Sequence, residues 1–385
     1  MLGGLSPARF LREYWQKKPL LVRQAFPAFA DPLTPEELAG LACEDGVESR
    51  IVRGKGRRWD VAWGPHPESR FIELPDREWT LLVQEVNRWV PDAALLLDAF
   101  SWIPNVRVDD VMVSYAERGG SVGPHLDSYD VFLVQGRGER RWQWGSKPAE
   151  DRTFVPGLVL RILADPVLDR DEVLRPGDML YLPPGFAHHG IAESPCLTYS
   201  IGFRAPSAAE AWTSFAAAAA SRPGAAELLA DPPLAPAREP GAIPPALLAR
   251  ARAMIRSLDL SDDAIDRWFA AHTTRLKPGH TLEAPRTAPD AKKILARLAK
   301  KNATLVRSEE GRWAFLPAAR GALRLYVAGE EIAVPREASA LAKLLCRARR
   351  HDGASVLAAA KNAAARALLE RLFAIGALSF GAIRR

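Results

Sequence analysis

The chain has 385 residues, 48% of them hydrophobic, which is enough for two or three domains with separate cores and excludes a fibrous or disordered polypeptide. Its longest apolar runs, such as the Ala-Ala-Leu-Leu-Leu segment after Asp92, fall far short of a membrane span, and Arg9, Arg12, Glu13, Lys17 and Lys18 stand where a signal peptide carries its apolar stretch; with Cys43, Cys196 and Cys346 far apart and no CxxC spacing, a cytoplasmic protein without a disulfide framework is expected. The formal charge of +6 is unevenly placed: from Leu276 onward 21 Lys/Arg face 9 Asp/Glu, a net of +12, so residues 1–275 carry −6, a sign that suits a cationic target.

Up to about Pro206 the chain consists of short runs rich in Val, Ile, Tyr, Phe and Trp, among them "VDDVMVSYAE", "DVFLVQG", "RRWQWG", "DMLYLPP" and "CLTYSIGFRAP", separated by Gly and Pro turns. This spacing predicts a β-sandwich or barrel. From Ser207 the pattern becomes helical: an Ala-rich stretch over Trp212 to Ala220, a Pro-rich break from Asp231 to Pro245, then "ALLARARAMIRSLDL" and "DDAIDRWFAAH", the second capped by Ser261. A small helical module of this kind, placed between domains, is expected to hold two copies of the chain together. Beyond Thr274, "DAKKILARLAKK" reads as a basic helix, "RWAFLP" and "ALRLYVAGEEIAV" as short strands, and two more helical segments follow, a succession similar to a winged helix and suited to nucleic-acid or protein contacts. The expected divisions are a catalytic domain over 1–207, a dimerisation module over 208–275 and a winged-helix domain over 276–385.

One stretch of the first region, "GGSVGPHLDSYDVFLVQGRGERRWQWG", sets His125 two residues from Asp127. On a strand, positions i and i+2 share a face, so both side chains would point inward while Leu126 points out. Such a pair is either an ordinary surface pair on a half-buried strand or part of a metal site. The second piece is "RPGDMLYLPPGFAHHGIA", in which Gly177, Pro183, Gly185 and His188 reproduce the spacing of the second motif of the cupin barrels, as Gly119 and His125 reproduce the start of the first. The resemblance departs from the usual metal cupin, where HxH is followed by a glutamate; here Val131 and Phe132 occupy that region and the carboxylate is in the HxD itself. Two histidines and a carboxylate form the facial triad that binds Fe(II) and leaves positions open for cosubstrate and O2. His188 and His189 point to opposite sides of a strand, and the Pro-x-Gly-x-x-His spacing selects His188; His66, His272, His280 and His351 lack a partner at ligand spacing.

Resemblance to the Fe(II) oxygenases that carry this triad implies 2-oxoglutarate as cosubstrate, held through its distal carboxylate by a Lys or Arg about fifteen residues past the first histidine. Arg140 fits that place, a planar fork for a carboxylate, and Ser114 on the preceding strand is a candidate hydroxyl partner. With "FLREYWQKKPLLVRQAF", "VGPHLDSYDVFLVQG", "RRWQWG", "PGDMLYLPPGFAHHG" and "YSIGFRAP" together, the chain resembles the bacterial JmjC-type ribosomal oxygenases nearly end to end. The resemblance implies an α+β architecture: a JmjC double-stranded β-helix, a helical dimerisation module and a C-terminal winged helix. It also implies conversion of 2-oxoglutarate and O2 to succinate and CO2, with one oxygen passed to the β-carbon of an arginine in a large-subunit ribosomal protein; in eukaryotic relatives the target is a histidine. Glu117, Tyr129 and Asp130, flanking the HxD, are the candidates to hold the target side chain. The competing readings are a histidine hydroxylase, a JmjC lysine demethylase, a zinc or manganese cupin isomerase with no need of Arg140, and a non-enzymatic regulator whose barrel senses a ligand while its basic winged helix binds DNA.

Overall fold

A computed structural model of the chain describes residues 1–55, 58–233, 236 and 239–381; four positions of the Pro-rich break expected over 231–245 lie outside the described residues. The chain divides into two compact units, one formed by 1–205 with 347–351 and the other by 206–346 with 352–381.

The strands of the first unit, among the described residues, are β1 (Leu20–Val22), β2 (Ser49–Lys55), β3 (Arg58–Trp63), β4 (Trp79–Val83), β5 (Val108–Ala116), β6 (Asp130–Gln135), β7 (Arg140–Trp144), β8 (Arg170–Leu174), β9 (Met179–Leu182), β10 (His188–Ala192) and β11 (Cys196–Phe203). They form a large sheet in the order β1-β9-β6-β11-β5-β4-β2-β3 and a small one in the order β10-β7-β8. Every pairing is antiparallel, as in a double-stranded β-helix.

Period-2 alternation gives the large sheet two apolar faces with different partners. Val131, Leu133, Leu180 and Leu182 meet Trp142, Trp144 and Leu174 of the small sheet inside the barrel. The opposite face carries Phe132, Tyr181 and Phe203 against Phe10, Trp15, Phe100 and Trp102, which the N-terminal segment and the helical connection before β5 bring up. Ring pairs such as Phe100 with Phe132, at 4.6 Å, each add about 0.5–1.5 kcal/mol beyond the area they bury. The turn Pro176-Gly177-Asp178 starts β9: Gly177 has φ +86°, and a Cβ there would lie 2.4 Å from the Phe26 carbonyl, so only glycine fits. Asp178 accepts the Gln24 and Arg175 amides at 2.9 and 3.0 Å and the Arg23 guanidinium at 2.8 Å, which fastens β1 beside β9.

In the second unit, helices span Ala208–Ala220, Pro245–Arg256 and Asp262–Thr274, and the Ser261 hydroxyl accepts from the Ala264 amide, the cap expected of it. A basic helix over Ala291–Leu298 precedes a three-stranded sheet of Trp313–Pro317, Leu323–Val327 and Glu330–Val334. The single run "ALRLYVAGEEIAV" supplies two of those strands, because Ala328 and Gly329, both at positive φ, make the two-residue turn of a hairpin. Its core gathers Ile294, Leu298, Leu325, Ile332, Leu341, Leu369 and Leu372. The helix Asp262–Thr274 packs on this sheet, so the helical segment and the wing share one unit.

Candidate active site

Within the barrel lies a cavity of about 200 Å³, walled by β5, β6, β7 and β11 and by the segments 122–129 and 160–162. His125, Asp127 and His188 converge on it. His125 and His188 face each other across an isolated bridge, exchanging backbone hydrogen bonds of 3.0 Å in both directions, with ring centroids 4.2 Å apart. The Nδ1 of His125 lies 2.9 Å from the Gly123 carbonyl, and that of His188 2.9 Å from the Phe186 carbonyl. A carbonyl can only accept, so both protons sit on Nδ1 and both Nε2 lone pairs are left for a ligand role. Asp127 reaches 3.4 Å from Nε2 of His188 and 4.0 Å from Nε2 of His125. The three donor atoms lie within 4.8 Å of one another, a spacing compatible with one ion at roughly 2.1 Å from each.

Electrostatics agree with this donor set. Burial, aided by the neighbouring His188, pushes the His125 imidazole down to about 4, so it is neutral near pH 7, as a metal ligand must be. Burial alone would raise the Asp127 carboxyl; its close contacts with His188 and His125 and with the Tyr129 hydroxyl outweigh it and hold Asp127 below the usual carboxylate range. The HxD is not on a regular strand. His125 forms one bridge, Pro124 has no N–H to give, and Leu126, expected to point out, lines the cavity. His189 turns away from the triad, its Nε2 2.9 Å from the Ser121 hydroxyl.

Arg140 enters the same cavity from β7 and is 3% exposed. Its guanidinium donates to the Ser114 hydroxyl at 3.2 Å and to the Gly190 carbonyl at 3.4 Å, while its buried Nε has no hydrogen-bond partner among the described residues. Burial lowers its pKa, and no carboxylate offsets that cost. A buried cation left this way is a receptor for an anion. Gly190, paired with Trp142, lets it in: a Cβ there would stand 2.7 Å from the Arg140 Nε and 2.8 Å from the Trp142 ring. Thr198 and Ser200, paired with Ser114 and Met112, line the same wall.

The three residues expected to hold the target side chain separate. Tyr129 lines the cavity, and its hydroxyl is held protonated by the Asp127 charge, by burial and by Asp110 and Asp109. Asp130 does not line it; in the alternation of β6 it shares the face of Phe132, where it accepts from Tyr181 at 2.6 Å, Gln16 at 3.1 Å and Arg107 at 3.1 Å. Glu117 is likewise out of the cavity, continuing the outward face of Val113 and Tyr115, whose hydroxyl it accepts. For both residues the structure corrects the expectation. Asp110, also outside the cavity wall, shares a face of β5 with Met112 and Ser114, lies beside Gly202 and Tyr129, and accepts the Glu85 amide through Oδ2 at 3.0 Å.

Known proteins match this architecture along the chain. Residues 95–211 match the JmjC domain family and residues 253–379 the ROXA-like winged helix. The chain is 39% identical over 261 residues to the ribosomal protein uL16 3-hydroxylase of Escherichia coli, covering 68% of this chain and 69% of that protein, and 45% identical over 204 residues to a probable ribosomal oxygenase of Haemophilus influenzae, covering 52% and 50%. The crystal structure of E. coli YcfD superimposes with a TM-score of 0.83 at 32% identity over 98% of this chain and 99% of that one, and YcfD bound to cobalt and 2-oxoglutarate with 0.79 at 33%, over 98% and 99%.

Proposed function

Since the chain belongs to the JmjC ribosomal oxygenases, we propose that it uses Fe(II), 2-oxoglutarate and O2 to hydroxylate the β-carbon of an arginine in a large-subunit ribosomal protein. The observation that carries the reading is one cavity with the donor set His125, Asp127 and His188 on one wall and the buried, unpaired Arg140 on another. Iron bound to that triad supplies the activation of O2 against the keto acid. The chain's own residues do the rest. Arg140, steadied by Ser114 and the Gly190 carbonyl, takes the distal carboxylate of 2-oxoglutarate and so aims its keto acid end at the triad. The apolar walls, Leu133, Trp142, Leu160 and Ile162, keep water from the reacting centre. Of the residues flanking the HxD, Tyr129 lines the cavity and offers the target guanidinium an aromatic face.

Three regions divide the work in this reading: 1–207 for catalysis, 208–275 for homodimer formation and 276–385 as the winged helix. Leu248, Met254, Ile255, Leu258, Ile265 and Phe269 are exposed on the helices of the middle region, more apolar surface than a connector needs, whereas Trp268 is used internally against Phe215 and His272. The positive charge from Leu276 onward suits a nucleic-acid contact. Among the described residues no helix is long and apolar enough to cross a membrane; a ribosomal-protein substrate supports a cytoplasmic location.

The test is an intact-mass comparison of ribosomal proteins from cells with and without the gene, followed by fragmentation of any protein that differs by one oxygen. Oxygen on an arginine β-carbon is the expected result. Oxygen on a histidine replaces the target residue, and no oxygen on any ribosomal protein removes the substrate assignment.

A further inference from the structure

The −6 net charge of residues 1–275 suggests an opening that draws in any basic peptide, yet the groups at the opening itself carry the other sign. Arg50 and Arg161 line the catalytic cavity. A second cavity, of about 310 Å³, adjoins it and shares Leu126, Asp127 and Arg161 as a common wall; its other lining residues are Ser128, Arg152, Phe154, Pro184 and Gly185. Arg161 lies over the Phe154 ring at 4.4 Å, and Arg152 reaches across Gly185, donating to the Ala149 carbonyl at 3.5 Å. Among the described residues neither guanidinium has a carboxylate partner. The one acidic side chain in the lining is Asp127, whose oxygens are turned to His125 and His188. Two arginines thus face a concave space with their charge unspent, next to the reaction centre.

We propose that this second cavity is a subsite for an acidic side chain of the protein substrate, within about three residues of the hydroxylated one. An extended peptide advances about 3.3 Å per residue, so a chain whose target residue enters the first cavity passes the shared wall within that span. The space admits one side chain, and the Arg fork with an aromatic floor matches a carboxylate. The site then selects by pattern: a purely basic segment meets Arg50, Arg152 and Arg161 as a repulsive rim, while a target with an acid nearby satisfies the arginine pair. This rests on the arginine-hydroxylase reading, but its test reads binding separately from chemistry.

Capped nonapeptides with a central arginine in an otherwise uncharged sequence, each carrying one Glu at a position from −3 to +3, are titrated against the full-length protein and followed by anisotropy, with the Gln peptides as reference. One Glu position is expected to bind about tenfold more tightly than its Gln counterpart. In Arg152→Glu, a change at an exposed loop residue, the preference is expected to reverse, so that Lys at the same position binds best. Dissociation constants equal within twofold across the series, or no binding up to millimolar peptide, overturn the subsite. A wild-type preference that Arg152→Glu leaves unchanged also overturns it. Mass spectrometry of the same peptides reports on the reaction: position-dependent binding without oxygen transfer supports the subsite and removes the arginine chemistry.

Discussion

At the scale of single residues, the proposed metal site rests on three side chains and the proposed cosubstrate site on one. His125→Ala, Asp127→Ala and His188→Ala are each expected to abolish metal-dependent 2-oxoglutarate turnover, since two donors hold an ion weakly, whereas His189→Ala, bonded to Ser121 outside the triad, keeps it. A succinate assay on the four variants checks both halves. Arg140→Ala removes a charge-assisted contact worth roughly 1.5–3 kcal/mol, so the 2-oxoglutarate KM rises about tenfold to a hundredfold while metal affinity, measured by titration, stays within severalfold. Much of this was readable from the sequence, because spacing fixes identity where a motif is short: His125, Asp127 and His188 meet in the structure as their intervals imply. Leu126 was misread because the strand rule was applied to a stretch that Pro124 keeps out of the sheet.

At the scale of strands, alternation decides which carboxylates reach the reaction. Asp130 is one residue from Val131, yet the pleat sends it to the face of Phe132, where its two oxygens serve Tyr181, Gln16 and Arg107. Removing one partner of such a buried group is expected to destabilise the fold by about 3–5 kcal/mol, so Asp130→Ala should lower the denaturation midpoint in urea and leave the peptide KM of the folded fraction unchanged. A selective rise in that KM would return Asp130 to the substrate site. The pairing of β7 with β10 yields a second expectation. Gly190→Ala inserts a methyl group 2.7 Å from the Arg140 Nε, which must displace the guanidinium, so the variant should copy the 2-oxoglutarate defect of Arg140→Ala with the metal ligands untouched. Strand existence was visible in the sequence from its β-branched and aromatic runs, while the order of strands in the sheets, which brings β11 between β5 and β6, follows from long-range pairing that no run of residues displays.

At the scale of the molecule, the change from strand to helix near Pro206 in the sequence falls where the compact units divide, because a shift from period 2 to period 3.6 is a shift in what an element packs against. The sign of the charge at the opening was not accessible that way, since net charge says nothing of where Arg50, Arg152 and Arg161 come together. The exposed apolar helices of 208–275 lead to an expected dimer at micromolar concentration by light scattering, lost on changing Ile255 and Phe269 to charged residues. In the barrel the Arg140 guanidinium has no carboxylate partner among the described residues. Any anion that binds this buried cation only in the folded form stabilises the protein by mass action, about 2.7 kcal/mol at a hundredfold excess over Kd. Succinate and 2-oxoglutarate should both lengthen the half-life of the protein under dilute protease, and Arg140→Ala should erase the difference. A fall in 2-oxoglutarate would then act on such an oxygenase twice, slowing each turnover and shortening the lifetime of the molecules that perform it.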